Sequence, residues 1–129
     1  MSAAPAIMTL HLRYRLWIAE MNFDINVLRI FEDYIKELSS RKEPPEVKTG
    51  IADFKKKFGD ISKEIDELRH QMHLHKMNLA SISRQGKQLD TDAYNADDHD
   101  TLKKQYINFR EKIEKLKNDF TDFENKWLN

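Results

Sequence analysis

The chain contains no cysteine, and glycine and proline occur only three times each among its 129 residues. Without cysteine it can form no disulfide, no thiolate nucleophile and no cysteine-ligated zinc site. The three glycines form neither a P-loop nor a Gly-x-Gly-x-x-Gly motif, the loops that cradle phosphates or dinucleotides. Sparse glycine and proline also leave long stretches without a helix-breaking residue, so the composition favours helices over strands and turns.

The chain also lacks an excess of charge of either sign, because 22 basic residues balance 22 acidic ones. No overall field therefore favours nucleic acid or an anionic membrane as a partner. The one basic run, residues 55–57, lies between Phe54 and Phe58. Both rings belong to an apolar ladder and are not free to stack on bases, so we expect no nucleic-acid binding.

Long hydrophobic runs are absent as well. No stretch approaches the roughly 20 apolar residues that a membrane span requires. The first 20 residues lack the basic, apolar and small-residue regions that make up a secretory signal. These two features predict a cytoplasmic protein that does not enter a membrane.

What the sequence does contain is three ladders of apolar residues at alternating steps of four and three. This 3.5-residue period is typical of long helices packed along a seam. The first ladder consists of Trp17, Met21, Asp24, Leu28, Phe31, Ile35 and Leu38. The second runs Val47, Ile51, Phe54, Phe58, Ile61, Ile65, Leu68, Met72, His75, Leu79 and Ile82, and the third Leu102, Tyr106, Phe109, Ile113, Leu116, Phe120, Phe123 and Trp127.

The three ladders predict an all-α fold, an antiparallel three-helix bundle of long helices with coiled-coil-like heptad packing, in a single domain over residues 1–129. The expected helices span about 7–41, 45–85 and 97–128. Pro44 and Pro45 separate the first two, and so short a link forces them to run antiparallel as neighbours. The second link covers 86–96. Gly50 and Gly59 interrupt the second ladder without changing its phase, which favours one continuous or mildly bent helix.

Helix one carries a second apolar face beside its ladder, formed by Leu16, Phe23, Val27, Ile30 and Tyr34. An outer helix of a three-helix monomer needs only one apolar stripe. We therefore predict that these five residues form an interface, most simply in a homodimer. The alternatives are contact with another helical protein, a folded-back terminus, or a wide core stripe with Ile18 and Ile25 at its margins.

Two polar residues occupy ladder positions. We expect His75 to be buried and hydrogen-bonded to a tyrosine or a backbone carbonyl, fixing the register of the helices, with pH sensing as the alternative. Asp24 is either buried and paired or displaced to the rim by a local phase shift that turns Ile25 inward. We favour the rim, because burying an unpaired carboxylate is costly.

The sequence predicts no metal site and no cofactor. Glu67, His70 and His73 share a helix face and offer at most a shallow surface site, since a di-iron bundle needs a second Glu-x-x-His. Residues 90–101 resemble a calcium loop but lack its glycine and its final glutamate. Because large aromatics fill the seams, we identify no small-molecule substrate and predict that the protein is not an enzyme.

These observations predict a non-catalytic assembly, adaptor or regulatory module that acts through protein–protein contacts and self-associates. The alternative is a small ligand- or metal-responsive bundle that uses the His70–His75 region.

Overall fold

The structure, a computed structural model, describes residues 3–84 and 96–127, with side chains at 8–81 and 99–127. It contains three α-helices, α1 (Ala3–Ser39), α2 (Pro45–Arg84) and α3 (Ala96–Trp127), and no strand within these ranges. The predicted all-α three-helix bundle is therefore confirmed. The largest boundary difference is at the start of α1, which begins at Ala3 rather than at residue 7. Most of the second link and of the calcium-loop-like pattern lies outside the described residues.

The link between α1 and α2 follows from its two prolines. At the end of α1 the amides of Ser40 and Arg41 donate to the carbonyls of Glu37 and Leu38, which tightens the last turn. Helix α2 then starts at Pro45, where the missing N–H of proline breaks no helical hydrogen bond. The carbonyl of Pro44 accepts the first of these bonds, 3.0 Å from the Lys48 amide.

Contacts between side chains fix the direction of each helix. Asn22 bonds to Arg69 and Glu32 to Ser62, so residue numbers rise along α1 as they fall along α2. Lys112 reaches Glu64, whereas Phe120 packs on Phe58, so α3 runs antiparallel to α2. Helix α3 therefore runs parallel to α1, in an up–down–up arrangement.

The second ladder is buried as predicted, apart from His75 and from Ile82, whose side chain lies outside the described residues. Helix α2 continues through both glycines, which confirms a single helix across Gly50 and Gly59. The two glycines differ in their surroundings. A Cβ at Gly50 would lie 2.8 Å from Cζ of Phe123, whereas a Cβ at Gly59 would meet nothing within 4 Å.

The three helices are not equally close. The backbones of α1 and α2 approach most closely, whereas α1 and α3 meet through long side chains. Trp17 stacks on Tyr106 with ring centres 5.0 Å apart, and Phe31 packs against Phe120 at 5.2 Å. No described helix combines the length and the apolarity needed to cross a membrane.

Candidate interaction surface

The most unusual surface of the molecule is a row of exposed apolar side chains on α1. We call it the α1 stripe; its members are 52–69% exposed and are Met8, Leu12, Leu16, Phe23 and Ile30. Leu16, Phe23 and Ile30 are seven residues apart, so they lie on one face of the helix two turns from one another. Met8 and Leu12 continue the row toward the N-terminus at steps of four.

Two of the five predicted interface residues are partly buried within the bundle itself. Val27 is half-buried, and Tyr34 is half-buried with its ring edge-on against Phe120 at 6.2 Å. Ile18 is buried and Ile25 packs against the core, so both belong to a wide core stripe. The remaining predicted residues, Leu16, Phe23 and Ile30, are exposed.

The α1 stripe borders the groove between α1 and α3. The ammonium group of Lys117 on α3 lies 5.8 Å from the centre of the Phe23 ring, within the range of a cation–π contact. Because the α1 and α3 backbones are not in close contact, long side chains fill the space between them. At Phe23 the stripe therefore lies beside α3, the helix whose backbone is more distant from α1.

A buried ion-pair cluster holds this seam together. Asp24 is fully buried, and one carboxylate oxygen accepts from Arg110 while the other lies 3.1 Å from Nζ of Lys117. Arg110 also bonds to Glu20 and Glu114 at 3.2 Å. The expectation that Asp24 lies at the rim was therefore wrong, because two cations from α3 supply the pairing that a buried carboxylate needs.

The same cluster shifts the pKa values of its neighbours. Partial burial acts to lower the pKa of Arg110, but the carboxylates of Asp24 and Glu20 outweigh it, so the pKa is raised. Tyr106 donates a 2.5 Å hydrogen bond to Glu20. Its burial and this bond raise the pKa of Tyr106, so its hydroxyl stays protonated at any physiological pH. Within the described side chains no buried polar atom lacks a partner.

The buried histidine of the bundle is His99, not His75. His75 is only half-buried, with its ring centre 5.8 Å from that of Tyr14. His99 is 9% exposed, and its Nδ1 lies 2.6 Å from the hydroxyl of fully buried Tyr14. Trp17 stacks on the His99 ring at 6.2 Å. The structure thus shows a tyrosine–histidine bond of the kind expected for His75 at a second histidine, His99, at the start of α3.

Burial lowers the pKa of His99 from its usual 6.5. The carboxylate of Asp100 acts in the opposite direction, whereas Arg13 and Lys103 add to the lowering. The N-terminal end of α3 also disfavours positive charge. His99 was missed in the sequence because the third ladder was taken to begin at Leu102, although His99 lies three residues earlier and continues the same period.

The described side chains of the His70–His75 region do not form a recognisable metal-binding or ligand-binding site. Among the described residues, no group of three or more histidines and carboxylates is arranged to hold a metal ion. A cleft of about 330 Å³ lies beside His75, between α2 and α3, and is lined mainly by polar side chains at the surface. No specific contact therefore favours the ligand- or metal-responsive alternative.

Comparisons with protein-family models, with curated proteins and with solved structures gave no significant match.

Proposed function

We propose that this protein is a non-catalytic assembly or adaptor module that acts through protein–protein contacts and self-associates through the α1 stripe. The observation that supports this proposal is the exposure of Leu16, Phe23 and Ile30 at heptad spacing on a helix whose opposite face already packs the core. Isolated apolar side chains are common on protein surfaces. A row that repeats every seven residues keeps one face of a helix in phase with a second helix packed along it, as in a coiled coil.

The size of the α1 stripe supports an interface. A large apolar side chain presents roughly 150–200 Å² when fully exposed. With 52–69% of each side chain exposed, the five together offer about 500–600 Å² of apolar surface. This area lies at the upper end of the roughly 300–600 Å² of the largest apolar patch on a typical monomer, a patch that is often functional. It is smaller than the ~800 Å² per partner of a standard interface, so the proposed interface includes polar residues beside the stripe.

The test is the assembly state of the chain and of two matched variants. Phe23→Glu places a charge in the middle of the α1 stripe, next to Lys117, and we expect the monomer to tolerate it because the two opposite charges can pair at the surface. Leu74→Glu makes the same kind of change at a 48% exposed apolar residue of α2 and serves as the control. Sedimentation equilibrium between 1 and 200 µM, at roughly physiological salt, separates monomer from dimer.

We expect the unmodified chain and Leu74→Glu to form dimers with similar dissociation constants. Burying a phenylalanine contributes about 1.5–3 kcal/mol, and a twofold dimer loses two of them. Phe23→Glu should therefore raise the dissociation constant by about 100-fold or more, with unchanged helicity by circular dichroism. Equal weakening by both variants, or none by Phe23→Glu, would mean that the α1 stripe is not the interface.

A further inference from the structure

We infer that the second copy packs antiparallel on α1, with Phe23 of both copies on the twofold axis. This inference rests on the proposed self-association and specifies its geometry. It comes from the pattern of the α1 stripe, from the charges along α1 and from the direction of its helix dipole.

Three of the five stripe residues, Leu16, Phe23 and Ile30, are spaced symmetrically about Phe23, whereas Met8 and Leu12 extend the stripe on the N-terminal side only. Leu16 lies seven residues before it and Ile30 seven residues after it, and both are exposed to a similar degree, 60% and 66%. A twofold axis through Phe23 and perpendicular to α1 brings residue n of one copy to the level of residue 46 minus n of the other. Leu16 then meets Ile30 at both ends, so the patch is self-complementary, as an isologous interface requires.

The charges along α1 favour the same arrangement. Before Phe23 the exposed charges are mainly basic, from Arg13 and Arg15, while Glu20 bonds to Arg110 and Tyr106. After Phe23 the exposed acidic residues outnumber the basic ones; they are Glu32, Asp33 and Glu37 against Arg29 and Lys36.

In a parallel pair the Arg13–Arg15 segments of the two copies would lie side by side, with four cations together. In the antiparallel pair each of these segments lies beside residues 31–33 of the other copy. Aligned side by side in opposite directions, the two helix dipoles also attract rather than repel. The two opposite ends of α1 therefore carry complementary charges, whereas two identical ends would place like charges side by side.

A distance measurement outside the interface tests this geometry. The absence of cysteine allows a single nitroxide label at Ser39→Cys, an exposed position 16 residues after Phe23. At 1.5 Å per residue, antiparallel pairing about Phe23 separates the two labelled backbones by about 48 Å. Parallel pairing brings them to within about 10–20 Å, a helix spacing plus the label. Double electron–electron resonance spectroscopy distinguishes these distances.

Disulfide trapping tests the register. When Leu16→Cys and Ile30→Cys chains are mixed and oxidised, antiparallel pairing predicts crosslinks between the two variants. It predicts none within either variant alone, since identical residues are then about 21 Å apart. The expected result is a distance near 48 Å together with a mixed crosslink.

A short Ser39 distance, or efficient crosslinking of Leu16→Cys with itself, would overturn the antiparallel arrangement while leaving self-association intact. A chain that sediments as a monomer at every concentration would instead remove the proposed function. The two failures are therefore distinguishable.

Discussion

Replacing Asp24 with asparagine tests whether the buried ion-pair cluster holds α3 on α1. The substitution keeps the shape of the side chain and removes its charge. Asp24 is fully buried, while Arg110 and Lys117 remain 22% and 18% exposed. The change therefore leaves two cations facing a neutral amide rather than a carboxylate.

The expected loss follows from the bonds that Asp24 accepts. A hydrogen bond to a charged group contributes about 1.5–3 kcal/mol, so losing the charge of two costs about 3–6 kcal/mol. Arg110 keeps Glu20 and Glu114, and both cations reach water, which offsets part of this cost. We expect the free energy of unfolding to fall by about 2–4 kcal/mol, a large fraction of the 5–15 kcal/mol typical of a domain.

The assay is urea unfolding followed by circular dichroism, at one fixed protein concentration because association adds to apparent stability. Repeating it in an Ile30→Glu background, which should disrupt the proposed dimer, separates the stability of the bundle from that of association. Asp122→Asn, the same change at an exposed position of α3, is the control and should lie within about 0.5 kcal/mol of the parent. If Asp24→Asn is equally mild, the carboxylate is solvated at the rim and the buried cluster is wrong.

Two further predictions concern the glycines of α2 and the histidine at the start of α3. Gly59→Ala should raise the free energy of unfolding by up to about 1 kcal/mol, because alanine favours helix and its methyl group meets open space. Gly50→Ala should gain less or lose stability, since its methyl group would collide with Phe123; equal gains at both sites in urea unfolding would contradict this contact. For His99, the lowered pKa of the folded state means that the unfolded chain binds more protons below pH 6.5. Stability should therefore be fully present above that pH and fall as the pH decreases, by at most about 1.4 kcal/mol per unit from this group. His99→Gln should flatten the profile between pH 7.5 and 5.5, and an unchanged slope would contradict the assignment.

The fold could be predicted because heptad ladders report a property of each helix separately. The apolar spacing of α2 survives both glycines, and Pro44 and Pro45 locate the turn. The direction of α3 could be predicted only from the number of helices and the length of the second link, not from the third ladder itself. All of these features depend on neighbours a few residues apart, which a sequence shows directly.

The polar contacts between helices were harder to predict. The partners of Asp24 are 86 and 93 residues away, so the sequence showed its burial cost without showing what would offset that cost. His75 and His99 both fit ladder positions and both rings lie within 6 Å of the Tyr14 ring; that His99 is the more deeply buried of the two depends on how the helices are aligned. The partial burial of Val27 and Tyr34 likewise depends on the spacing between α1 and α3. These distances are properties of the assembled core.

If the exposed face of α1 joins two copies of the chain, as proposed, the molar mass in solution depends on concentration. Light scattering coupled to size-exclusion chromatography measures this directly, at loading concentrations from 5 to 200 µM. We predict a molar mass that rises to twice 15.4 kDa. A mass that stays at 15.4 kDa over the whole range would contradict the account.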